Sequence, residues 1–219
     1  MAVRQLDKKI PHLGFWHTLA TVVSVVFHPL IIPTYALMAG LSSHVWVAPV
    51  SAANYWPFIF LFFFLSAILP ISLLLVGRWL GLYTSIKLED RRDRTLPLAL
   101  ILFVFIGYRI TQGSGSTQAF QVLDFFLFGL IGLTATTLIF NFVIKISGHA
   151  MAMAAFLGLW IGAAYFHPNP QLLPVLVTTF GLWGLVAWSR LYLAVHSNAE
   201  VVLGSIVGIL FGLLYSLRI

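Results

Sequence analysis

The chain has 219 residues, 60% of them hydrophobic and 8% charged, with a mean hydropathy of +0.99, far from the roughly 45–50% apolar and 25% charged of soluble domains. That balance excludes a soluble globular class and implies an all-α polytopic transmembrane helical bundle, because lipid offers the backbone no hydrogen-bond partner outside its own helix. The net charge of +6 is dispersed among apolar runs, not gathered on one basic face, so anionic lipid head groups are expected as partners and nucleic acid is not.

In chain order, Arg4, Lys8 and Lys9 precede an apolar stretch that is too long for a signal peptide and lacks a small-x-small cleavage site, so it reads as a retained first helix. Seven spans are predicted, at about 17–41, 54–77, 95–112, 119–144, 149–166, 171–192 and 197–217. Together they form a single integral membrane domain covering 1–219. Ser42 to Ala53, Gln112 to Gln118 and His167 to Gln171 read as short connections on one side, with Gly113, Gly115, Pro168 and Pro170 as breakers. The charged segment 78–94, the stretch around Lys145 to Gly148 and the region around Arg190 to Ser197 fall at the opposite helix ends. Alternation of the spans therefore puts these three polar segments on one membrane face. With the N-terminus, that face carries Arg4, Lys8, Lys9, Arg78, Lys87, Arg91, Arg92, Arg94, Lys145 and Arg190, against Arg109 and Arg218 on the other. The positive-inside rule assigns it to the cytoplasm.

Each segment carries groups suited to a phosphate. Lys87 and Arg94, seven residues apart, share a face if helical, although a charged cytoplasmic loop that fixes topology is the plainer reading of this stretch alone. Ser147-Gly148-His149 opens a helix, where free N–H groups favour an anion, Gly148 permits close approach and His149 is placed to give a proton; an N-cap, a turn glycine and an interfacial histidine are the plainer alternative. His196 and Glu200 are four apart at the start of the last span, so a carboxylate can set the imidazole tautomer and leave the other nitrogen free to attack. Arg190, just upstream, can fork onto two phosphate oxygens. An interfacial ion pair would also explain the His196–Glu200 spacing.

Elsewhere, Gly204, Gly208 and Gly212 continue the four-residue spacing and predict close packing of the last helix. His28, next to Pro29 and near Pro33, reads as a histidine at a kink, bonded to a freed carbonyl, with a functional intramembrane site as the alternative. Arg109 and Asp124 flank one outer connection and are expected to pair. Without cysteine there is no disulfide, thiolate zinc site or cysteine nucleophile. The six carboxylates form one close group only, which leaves a paired magnesium site unexpected.

Taken together, Lys87-x6-Arg94, Ser147-Gly148-His149 and Ser189-Arg190-x5-His196-x3-Glu200 resemble the three ordered motifs of the type 2 phosphatidic acid phosphatase superfamily, whose fold is shared with vanadium haloperoxidases. The resemblance covers a core of about 78–217 and leaves 1–77 as two additional N-terminal helices. It implies a metal-independent integral membrane lipid phosphatase without a cofactor, acting on a lipid phosphomonoester or pyrophosphate, such as one found in a bacterial inner membrane. By the same resemblance, Lys87, Arg94 and Arg190 hold the phosphate, Ser147 and Gly148 add hydrogen bonds, His149 is the general acid and His196 the nucleophile that becomes phosphohistidine. Three departures stand out: Glu200 where aspartate is usual, Thr95 where proline follows the arginine, and Ile146 where proline precedes the serine. They motivate an alternative, a catalytically inactive relative that binds anionic lipid or scaffolds membrane partners. A third reading, a prenyl transferase suggested by Asp90 and Asp93, lacks the second acidic cluster it would need.

Overall fold

Prolines decide where the chain departs from a seven-span bundle. The computed structural model describes residues 14–43, 52–83, 91–112 and 118–219, and the regular structure among them is helical throughout. The first predicted span, 17–41, is not one rod but two short helices, α1 (Phe15–Val26) and α2 (Ile32–Ser42). Pro29 has no N–H to continue the ladder and disfavours helix at His28. The chain turns there, with the His28 carbonyl accepting from the N–H groups of Ile31 (2.8 Å) and Ile32 (3.1 Å). Pro33 then sits in the first turn of α2, where its missing donor costs nothing. At 12 and 11 residues, the two helices reach about 18 and 16 Å, short of the roughly 30 Å of a hydrocarbon core.

Among the described residues, six helical rods are long and apolar enough to cross a membrane, against the seven expected: Tyr55–Trp79, Asp93–Thr111, Phe120–Val143, Gly148–Phe166, Leu172–Tyr192 and Asn198–Ser216. The first of these joins α3 (Ala52–Phe63) to α4 (Leu69–Trp79) through a π-helical turn, Phe64–Ile68. Pro70 cannot donate to the carbonyl of Ser66 and its ring crowds it, which is the usual origin of such a widened turn. The hydroxyl of Ser66, fully buried, meets that of Thr34 at 3.0 Å and ties this rod to α2. The remaining rods are α5 (Arg91–Gln112), α6 (Gln118–Val143), α7 (Gly148–Phe166), α8 (Leu172–Tyr192) and α9 (Asn198–Ser216). Large apolar side chains such as Phe103, Ile110 and Val177 face outward, as lipid contact requires.

Helix α7 is the axis of the bundle. It is apolar all round, the pattern of a helix enclosed by others, and 72% of its span is buried against 17–33% for the other five. Its tightest neighbour is α9, because small residues line both sides of the seam. A methyl group added to Gly204 would lie 2.8 Å from the Ser147 carbonyl, and one added to Gly208 would lie 2.9 Å from Ala154 Cβ and from Ala155 N. Gly158 and Gly162 of α7 are packed just as closely against Ile209 and Ser216. Such contact leaves no room for side chains and sets α7 and α9 in one register. At the top of the seam the Ser147 N–H donates to the Glu200 carbonyl at 3.0 Å, so the first turns of the two helices are locked together.

Candidate functional site

The ends of α4, α6 and α8 and the starts of α5, α7 and α9 lie at one end of the bundle, and the polar groups converge there. Ser147 caps α7: its hydroxyl, fully buried, accepts from the Ala150 N–H at 3.5 Å. A methyl group on Gly148 would meet nothing within 4 Å, so this glycine borders open space and is not there for packing. Arg94, in the first turn of α5, donates from Nη1 to the Ile146 carbonyl at 3.4 Å, across to the residue just before the Ser147 cap. Thr95 supports that placement by accepting from Asn141 Nδ2 at 3.1 Å.

His196 occupies the short turn between α8 and α9. Helix α8 ends through Leu193, whose N–H returns to Ser189, and through Ala194, which takes a left-handed conformation (φ 51°). That turn feeds directly into Ser197, the N-cap of α9, whose hydroxyl accepts from the Glu200 N–H at 3.3 Å. Glu200 Oε2 then lies 2.6 Å from His196 Nδ1 and 3.9 Å from Lys145 Nζ. A carboxylate only accepts, so Nδ1 carries the hydrogen and Nε2 keeps its lone pair. Burial pushes the His196 pKa down to about 4; the bond to Glu200 opposes this, while the charges of Arg190 and Arg94 add to it. At neutral pH the imidazole is therefore uncharged and nucleophilic at Nε2. Its side chain is 4% exposed. An open depression of about 490 Å³, bordered by Lys145, Asn198 and Glu200, reaches it from outside.

The elbow between α1 and α2 supplies the rest. Trp16 packs edge-on against Trp188 (6.3 Å), and Arg190 Nη1 donates to the hydroxyl of Ser24. These contacts span about 12 Å of α1 and about 3 Å of α8, so α1 crosses α8 near its end. His149 Nε2 lies 3.1 Å from the Ser24 carbonyl, which can only accept, so the imidazole donates. The His28 ring stands edge-on to that of His149 at 5.1 Å. His28 Nδ1 accepts from the Leu30 N–H at 3.3 Å, a turn contact where a bond to a freed carbonyl was expected. The Arg190 Nε–H is buried without a hydrogen-bond partner.

Of the residues singled out by sequence, Arg94, Ser147, Gly148, His149, Arg190, His196 and Glu200 meet at this end. Lys87 lies outside the described residues, as do Glu89 and Asp90. Arg109 and Asp124 form an ion pair toward the other end, where Arg109 and Arg218 stack on Phe128. Sequence reasoning missed Ser24, which carries no motif, and Lys145, which it counted only for topology. The Pro29 and Pro33 pair was the available signal for the elbow. Among the described residues, no group of three or more His, Asp or Glu side chains is close enough to hold a metal ion. Neither family models, nor curated proteins, nor solved structures give a match to this chain.

Proposed function

We propose that the protein is an integral membrane lipid phosphatase of the type 2 phosphatidic acid phosphatase kind, cleaving a lipid phosphomonoester or pyrophosphate through a phosphohistidine. The observation that carries this reading is the His196–Glu200 pair, with Nδ1 held at 2.6 Å and Nε2 unprotonated, beside the guanidinium of Arg190 and the start of α7. A phosphomonoester carries a charge near −2, which Arg94, Arg190 and the α7 N-terminus would balance. The orphaned Nε–H of Arg190 and the open space at Gly148 are the kind of unused donor and clearance that an anion takes up. Lys87 joins the set by motif alone.

In this scheme His196 Nε2 attacks phosphorus in line with the departing oxygen. The P–O bond breaks, and His149 gives its proton to that oxygen. Glu200 stabilises the charge that the bonded imidazole acquires. Water arriving by the depression near Lys145 then attacks the phosphohistidine, His149 takes a proton from it, and free phosphate leaves. The excess of Lys and Arg on this face favours the cytoplasmic side.

The test is phosphate release by the purified protein from phosphatidate, phosphatidylglycerophosphate and an isoprenyl pyrophosphate. Release should persist in EDTA, fall with vanadate and vanish in His196→Ala. Full activity in that variant removes the assigned nucleophile. Phosphate binding with no release from any substrate would instead assign the chain to the inactive, lipid-binding alternative.

A further inference from the structure

Ser24 belongs to none of the motifs, yet its two oxygens accept from two side chains that the phosphatase reading assigns to phosphate. Its hydroxyl takes the Nη1–H of Arg190, and its carbonyl takes the Nε2–H of His149 at 3.1 Å. The carbonyl is available because the elbow frees it. In an unbroken helix the His28 N–H would bond to it, whereas ahead of Pro29 that N–H turns to Val25 at 3.3 Å. The two oxygens therefore stand where two oxygens of a phosphoryl group would stand. The match is incomplete in one respect, since the buried Nε–H of Arg190 receives nothing from Ser24. A phosphoryl group can accept from both edges of the guanidinium, and its charged oxygens bind each donor more strongly than neutral ones do.

The elbow also packs over Arg190 and His149. Ser24 is 7% exposed, and Ser147 and Ser189 are fully buried. The opposite face of α1 is apolar and uncovered, with Phe15 72% and Val25 62% exposed. Helix α1 is thus a short apolar segment, too short to span, whose polar contacts go to α7 and α8. It packs on α8 and is not part of the α7–α9 seam.

We propose that Ser24 is a displaceable internal ligand of the anion cradle, holding Arg190 and His149 until the phosphoryl group of a lipid takes both donors in its place. The proposal rests on the phosphatase reading for the identity of the anion, and it assigns to 1–77 a role in substrate binding that the motifs do not carry. Removing the competing hydroxyl should tighten anion binding, and strengthening it should weaken binding.

The experiment is calorimetric titration of the full chain with inorganic phosphate, vanadate and a short-chain phosphatidate. Ser24→Ala should bind all three about three- to tenfold more tightly, the worth of one lost competing hydrogen bond. Ser24→Asp, which sets a carboxylate against Arg190, should bind at least about tenfold more weakly. Unchanged or weaker binding in Ser24→Ala would overturn the proposal, because a residue that merely orients Arg190 predicts that result. A gain with phosphatidate alone would also overturn it, since the obstacle would then be to the chains and not to the phosphoryl group. Loss of binding in Arg190→Ala together with no gain in Ser24→Ala leaves the phosphate reading standing and removes this inference. Binding that survives Arg190→Ala, or no binding by any form, removes both.

Discussion

Gly208→Ala tests whether the α7–α9 seam builds the site. The added methyl would lie 2.9 Å from Ala154 Cβ and Ala155 N, and closer still to the Met151 carbonyl, where ordinary contact begins at 3.4 Å. Two of these obstacles are backbone atoms, so no side chain can swing aside. Clearing the Met151 carbonyl requires the seam to open by about 1 Å, and overpacking of this kind costs about 1–3 kcal/mol. Alanine is also the better helix former by about 1 kcal/mol, which calls for a reference substitution. Gly184→Ala on α8 provides it, because nothing lies within 4 Å of its new methyl. The difference between the two variants therefore isolates the seam. One turn above Gly208, Gly204 touches Ser147, whose N–H bonds to the Glu200 carbonyl. Opening the seam thus moves His149 relative to His196. A 1 Å misplacement costs about a hundredfold in rate, so an opening of that size predicts a loss of turnover between about tenfold and a hundredfold, the seam sharing the shift with the site. Thermal unfolding in detergent, read with phosphate release per folded molecule, measures both. If Gly208→Ala unfolds at the temperature of Gly184→Ala and keeps wild-type turnover, the seam does not position the site.

Further outcomes follow from the geometry under the phosphatase reading. The His196 pKa lies near 4, below its ordinary 6.5, so the neutral nucleophile persists to mildly acidic pH and the acid limb of kcat/KM should fall near pH 4; a limb near 6.5 in a pH profile would contradict this. Because the folded value is the lower one, the stability this group contributes is complete above about pH 6.5 and is lost as pH falls through 4, which thermal unfolding across that window would detect. In Glu200→Gln the carboxylate that opposes the downward shift is gone, so the acid limb should move lower still while turnover drops. Arg190→Lys keeps the charge but loses the two-edged donor, so the vanadate inhibition constant should rise about tenfold or more; an unchanged constant would show that Arg190 does not touch the anion. Thr95→Val removes the hydroxyl bonded to Asn141 and should cost about 1 kcal/mol in stability, together with weaker phosphate binding as Arg94 loses its support; stability and binding both at wild-type level would refute that role.

The six spans were legible because each is a long apolar run bounded by charge, glycine or proline, and their ends agree with the sequence reading to within two residues. The glycine ridge was legible for a different reason: a four-residue spacing needs only helical geometry to become a face. The spacing of His196 and Glu200 was legible too, although His196 stands in the turn before the Ser197 cap and reaches Glu200 from outside the helix. The first segment was misread because its mean apolarity suits a span, and mean apolarity does not register the lost donor at Pro29. The two prolines held the correction, but they were read as a kink within one rod.

What no local pattern could supply is the pairing of Ser24 with Arg190 and His149, residues that stand 166 and 125 positions away. Ser24 becomes significant only because the chain breaks four residues later, which frees its carbonyl, and because α1 then crosses the end of α8. The proline that ends α1 and the serine that meets the cradle are thus one feature. A helix running unbroken through His28 would span the bilayer, satisfy that carbonyl internally and carry Ser24 no acceptor for His149. The departure from seven spans and the contact of Ser24 with the cradle have the same physical cause.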